Sequence, residues 1–156
     1  MKGFYQVTTA IKDQLYKDVF VNTVSSGDIF EIDLNKQTIF PLSHIIVNNA
    51  TYNGNTWVFN ISVLCMDVVD FSKTEQTDQF LTNDNEQDVL HTQLMVINRL
   101  LEVLRRGALM DEGYELSGTP NCEPFVDRFE NKIAGWTVTF DVMVANEMTS
   151  CENECL

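Results

Sequence analysis

The chain has 156 residues, of which 44% are hydrophobic, and 23 acidic side chains against 10 basic ones give a net charge of −13. That length and apolar content suit one folded domain that builds its core without disulfides or metals. The charge weighs against sequence-specific nucleic-acid binding, because an isolated subunit repels phosphate backbones. It is compatible with a surface past which nucleic acid slides, or with a basic partner. No uninterrupted apolar run is long enough to span a bilayer. The start, Met1-Lys2-Gly3-Phe4-Tyr5-Gln6, lacks the apolar core of a secretory signal. Cytoplasm, or a particle assembled there, is the expected location, with no membrane partner.

In chain order, Phe4, Val7, Ile11, Leu15, Val19 and Phe20 recur at three- and four-residue steps and predict an amphipathic helix over about residues 4–20, ended by Ser25-Ser26-Gly27. Ile29-Phe30-Glu31-Ile32 reads as a short strand and residues 36–41 as a loop. Residues 44–52 read as a second strand. Asn53-Gly54 is a hairpin signal, because both residues tolerate the positive φ of a type I′ turn. The third strand, residues 56–69, places Trp57, Phe59, Ile61, Val63 and Cys65 on one face. Val58, Leu64, Met66 and Val68 on the other imply that this second face is partly covered near its end.

Residues 70–87 turn polar but hold Phe71 and the pair Phe80-Leu81, which need burial or a partner. A second helix is expected at about 85–106. Leu90, Leu94, Ile97, Leu101 and Leu104 form its apolar stripe, widened by Val96, Leu100 and Val103. Asn83 and Glu86 resemble a capping box, Asp84 and Asp88 suit the N-terminal end, and Arg105, Arg106 and then Gly107 suit the other end. After Tyr114-Glu115-Leu116 and a turn over 117–121, strands are expected at about 123–130 and 133–145, joined by Asn131-Lys132. In the last strand Trp136, Val138, Phe140, Val142 and Val144 alternate with Thr137, Thr139, Asp141 and Met143. Hairpin connections predict an α+β fold: an antiparallel sheet of about five strands with a long hairpin and both helices packed on one face. With no linker or repeat, residues 1–148 form one domain and 149–156 a polar tail.

Little of this spells chemistry. The dinucleotide GxGxxG turn, the P-loop, HExxH, GxSxG and the EF-hand loop are all missing. Asp67 and Asp70 point to opposite faces at a strand end and read as solvated termini rather than an acid/base pair. Asn83-Asp84-Asn85 lacks the mid-loop glycine and closing glutamate of a calcium loop. His44 and His91 are single and distant from each other in sequence, with nothing that favours a triad, and Cys65, Cys122, Cys151 and Cys155 lack the paired spacing of a zinc site. No catalytic residue, metal or cofactor is expected, and the thiols should be reduced. The candidate contact residues are Asp70, Phe71, Lys73, Glu75, Asp78, Phe80 and Leu81 in the polar loop. Arg99, Arg105 and Arg106 form a candidate helix-end cation cluster, better read as pairing with the helix end or an acidic neighbour than as a phosphate site. Trp57 and Trp136 head two long strands and read as packing.

The opening helix from Phe4 to Leu15, the Asn53-Gly54 turn feeding Trp57-Val58-Phe59-Asn60-Ile61, and the acidic-capped helix with Leu90, Leu94, Ile97 and Leu101 form one plan. The chain closes with Gly135-Trp136-Thr137-Val138-Thr139-Phe140 and then Ala145-Asn146-Glu147-Met148. This plan resembles the tail-terminator and tail-completion proteins of tailed bacteriophages, including neck ring proteins of crAss-like phages. The resemblance covers about residues 4–148. It implies a structural virion protein, not an enzyme, that assembles in the host cytoplasm into a ring of six or twelve copies at the head–tail neck or tail end. Adjacent neck, portal-adaptor or tail proteins would be its partners, and DNA would pass through the lumen as non-specific cargo. Two other readings compete: a cytoplasmic adaptor holding a small ligand or peptide between helix and sheet, and, ranked last, an enzyme with a site assembled through space.

Overall fold

The computed structural model describes residues 3–27, 37–70, 80, 84–128 and 132–146. Helix α1 (Phe4–Tyr16) starts where the Gly3 N–H donates to Gln6 Oε1 at 3.0 Å, and it buries Val7, Ile11 and Leu15. It is shorter than the expected 4–20. At Asp18 the side chain accepts the Phe20 N–H (3.0 Å), a local turn that competes with the next helical bond and leaves Val19 and Phe20 exposed. The chain then enters β1 (Thr23–Ser26), a strand the sequence pattern did not reveal. The expected strand at 29–32 lies outside the described residues. A 3₁₀ turn (Gln37–Ile39) leads into β2 (Leu42–Tyr52) and β3 (Thr56–Val68), with Gly54 at φ 73° in the tight turn between them. Helix α2 (Glu86–Arg106), the short α3 (Ala108–Asp111), β4 (Glu115–Arg128) and β5 (Lys132–Ala145) complete the order.

The sheet runs β1-β2-β3-β5-β4. All pairings are antiparallel except β1 with β2, which is parallel (Thr23↔Leu42 to Ser26↔Ile45), so the sheet is mixed. The departure from a wholly antiparallel sheet follows from β1, which precedes a crossover rather than a hairpin. The expected turn at 117–121 lies inside β4, where the register shifts between Ser117 and Asn121.

Both helices pack on one face. Phe59, Ile61, Val63 and Cys65 of β3 and Val138, Phe140, Val142 and Val144 of β5 meet Val7, Ile11 and Leu15 of α1 and Val96, Ile97, Leu100 and Leu104 of α2 in one buried cluster. The strict alternation of β3 and β5 produces this, since paired positions such as Ile61↔Phe140 share a face. At one end of the opposite face, Phe40, Leu42, Met66 and Ile133 form a second buried cluster, as the apolar residues late in β3 implied. The rest of that face is a polar ladder. Asn48 Nδ2 donates to Asn60 Oδ1 (2.8 Å) and Ser62 Oγ (2.9 Å), Asn60 Nδ2 donates to Asp141 Oδ1 (2.8 Å), and Ser62 and Thr139 share a hydroxyl bond at 3.0 Å. Among the described residues no helix is long and apolar enough to cross a membrane.

Candidate functional site

The polar loop leaves β3 and returns into α2, and its two ends are fastened to each other. The Asp70 N–H donates to Asn85 Oδ1 at 2.7 Å, and the Asn85 N–H returns a bond to Asp70 O at 3.2 Å. Asn85, not Asn83, is therefore the residue before the helix, and its side chain serves the loop root instead of capping α2. Asp84 Oδ1 accepts the Glu86 N–H at 3.2 Å, and acidic Glu86 and Asp88 sit in the first turn, where the helix dipole favours them.

Lys132, at the start of β5, completes the base. Its Nζ lies 3.0 Å from Asp84 Oδ2 and 2.8 Å from Glu86 Oε2, with only 5% of the side chain exposed. Burial pulls the ammonium's pKa down, but the Glu86 and Asp84 hydrogen bonds and charges outweigh it and hold Lys132 above the usual lysine value. The Lys132 carbonyl accepts the Val69 N–H at 2.8 Å, and Trp136 Nε1 donates to Leu90 O at 2.8 Å. Strand β5 thus grips both the end of β3 and the start of α2. A lysine between an expected turn and an apolar strand read as a turn residue. Its role follows from two carboxylates 46 and 48 positions away, which no local pattern links to it.

Of the candidate contact residues, Asp70 is exposed at the root and Phe80 is 76% exposed. Phe71, Lys73, Glu75, Asp78 and Leu81 lie outside the described residues. Burial raises the Asp67 carboxyl pKa, the Val68 N–H bond at 2.8 Å opposes that, and nearby Asp70 adds to it.

The three arginines are not gathered into one site. Arg99 pairs with Asp18 (Nη2 to Oδ1, 3.0 Å) and stands 5.7 Å from the Phe20 ring centroid, joining the end of α1 to α2. Arg105 and Arg106 both pair with Glu102, at 3.2 and 2.7 Å. The Arg105 hydrogen bond, with the charges of both arginines, holds the Glu102 carboxyl below its usual pKa. Each of the three arginines is thus paired with an acidic side chain.

His44 is fully buried. Its Nδ1 lies 2.8 Å from Ser25 Oγ and its Nε2 lies 2.8 Å from Gly27 O, so the ring closes the β1–β2 seam. His91 is exposed on α2. Cys65 and Cys122 are free thiols. The Trp57 and Tyr52 rings meet beside the hairpin turn at a tilt of 56°, with centroids 5.2 Å apart. Sequence reasoning missed Gln93, which is 1% exposed on the sheet-facing side of α2 with neither amide atom hydrogen-bonded. Among the described residues no three His, Cys, Asp or Glu side chains converge as a metal site would need.

An open groove of about 680 Å3 lies where α1 overhangs the sheet edge, between Phe4, Tyr5 and Thr8 of the helix and Gly27, Ile45 and Val47 below. It borders β2 just beyond the end of β1. No protein-family model matches the chain, and no curated protein matches it either.

Proposed function

We propose that this chain is a structural virion protein that forms a ring at the head–tail junction or tail end of a tailed bacteriophage, stacked on neighbouring neck, portal-adaptor or tail proteins, with DNA passing through its lumen. The observation that carries this reading is the loop base. Asp70 and Asn85 tie the two ends of the polar loop together, and Lys132 locks Asp84 and Glu86 to β5. A loop on a rigid root is suited to presenting contact side chains to a neighbour without ordering its base on binding. The helix, long hairpin, rooted loop, helix and closing strands also follow the plan of tail-terminator proteins. A net charge of −13 suits a lumen that DNA crosses without adhering.

The test is the mass and shape of the purified chain, alone and mixed with the head and neck proteins encoded beside it, by native mass spectrometry and electron microscopy. A closed ring of defined copy number is expected. A chain that stays monomeric with those proteins present would refute the reading.

A further inference from the structure

The tip of the long hairpin holds a reactive pair that the fold leaves unengaged. Asn53-Gly54 is the one Asn-Gly step in the chain. Both residues are exposed, and the turn closes tightly around Gly54. The Asn53 N–H donates to Thr56 O at 2.9 Å, and the Asn55 N–H donates to Asn53 O at 2.8 Å. Among the described residues neither the Gly54 N–H nor the Asn53 carboxamide has a hydrogen-bond partner. The end of β5 is tied to the same turn. Asn146 donates its N–H to Asn55 O at 2.8 Å and its Nδ2–H to Gly54 O at 3.1 Å.

We infer that Asn53 is a self-modification site, where the Gly54 amide nitrogen closes on the Asn53 side chain and converts it to aspartate and isoaspartate. The Gly54 N–H gives its proton to water or hydroxide, and the nitrogen bonds to Asn53 Cγ. The Cγ–Nδ2 bond breaks, ammonia leaves after taking up a proton, and a five-membered succinimide remains. Water then opens the ring at one of its two carbonyl carbons. Addition at Cγ leaves aspartate with the main chain restored. Addition at the Asn53 backbone carbonyl carbon leaves isoaspartate, whose main chain runs through Cβ and Cγ. No oxidant, reductant or second substrate enters.

The local structure favours each step. An N–H that donates to a carbonyl is held protonated and in place, and that of Gly54 is not. Glycine sets no Cβ against the closing ring, and a Cβ there would meet nothing within 4 Å, so the space is open. Exposure lets water take the proton and open the ring. Asn48 and Asn60 differ on these points: both spend Nδ2 on hydrogen bonds across the sheet, and Asn49 and Ile61 follow them. The products also differ in effect. Isoaspartate adds one atom to the main chain inside the turn, which displaces the Gly54 and Asn55 carbonyls that hold Asn146. Aspartate keeps that path and only adds a carboxylate to a chain of −13.

The experiment incubates the full chain in heavy-oxygen water at pH 7 and pH 8, native and in urea, with N53Q and N53D as variants and circular dichroism to check folding. Peptide mass mapping follows each asparagine, and released ammonia is assayed. Asn53 should take up heavy oxygen and release ammonia at least about tenfold faster than any other asparagine, and N53Q should release none at that rate. The rate should rise by up to about tenfold from pH 7 to pH 8, because the attacking nitrogen must lose its proton. The native rate should be at least about one-tenth of the rate in urea. In the isoaspartate form, separated by chromatography, the Asn146 amide should exchange hydrogen at least about tenfold faster than in N53D. A native rate below that fraction, or one no faster than the other asparagines, overturns the site. Equal Asn146 exchange in the two forms overturns its coupling to β5. None of these outcomes bears on whether copies assemble into a ring.

Discussion

Replacing Lys132 with methionine tests the loop base most directly. The substitution keeps the length of the stem and removes the cation that lies 3.0 Å from Asp84 and 2.8 Å from Glu86. Asp84 has only 7% of its side chain exposed, so its carboxylate would lose the Lys132 ammonium while staying largely desolvated beside Glu86. Breaking a buried pair in this way costs about 3 kcal/mol, which for a chain of this size lowers Tm by about 6–12 °C. Urea and thermal unfolding at pH 7 measure it. The triple variant K132M/D84N/E86Q removes both carboxylate charges along with the ammonium and should recover at least half of the loss. The pH dependence has a defined sign. Because the folded Lys132 pKa is raised, its stabilisation is complete below the unfolded lysine value of about 10.4 and fades as pH rises through the folded value. Wild type should therefore lose stability in alkali by a step that K132M lacks. A loss under about 1 kcal/mol in K132M, or no recovery in the triple variant, would refute the reasoning.

Three further outcomes are expected. Gln93→Leu should stabilise the chain by about 1–3 kcal/mol in urea unfolding, because both amide atoms are buried without partners; a loss would reveal a partner for the amide. Gly135→Ala should cost at least about 2 kcal/mol, since a Cβ there would stand 2.1 Å from Cys65 O and 2.8 Å from Met66 Cα, both backbone atoms of β3; unchanged stability would mean the β3–β5 spacing is looser than described. Burial pushes the Cys65 thiol up to about 12, whereas Cys122 is half-buried and raised less far. Alkylation of the native chain at pH 8, mapped by peptide mass, should modify Cys122 at least about ten times faster than Cys65, and equal rates would contradict the burial of β3.

Much of the architecture was legible in local pattern. The period-two alternation of β5 and the Asn53-Gly54 turn placed the long hairpin and its neighbour, because side chains of a strand alternate between faces whatever lies beyond them. The three- and four-residue steps placed α2 within a residue of its observed start and end. They misplaced its buried face slightly. Val89 and Gln93 face the sheet while Leu90, Leu94 and Leu101 are only partly covered, since the contact line depends on how the helix lies on β3 and β5. The end of α1 was missed by four residues, because Asp18 is held by Arg99 from another helix.

By itself, then, the sequence determined the fold class, the hairpin, the helix-bearing face of the sheet and the acidic balance. Each follows from residue spacing or composition, which act over a few positions. Only the tertiary structure decided that β1 joins parallel to β2, that Lys132 and Asn85 fasten the polar loop, and that Arg99 serves Asp18 while Arg105 and Arg106 share Glu102. Those features depend on residues tens of positions apart meeting in space, and the packing of two helices on one twisted sheet sets the distances between them.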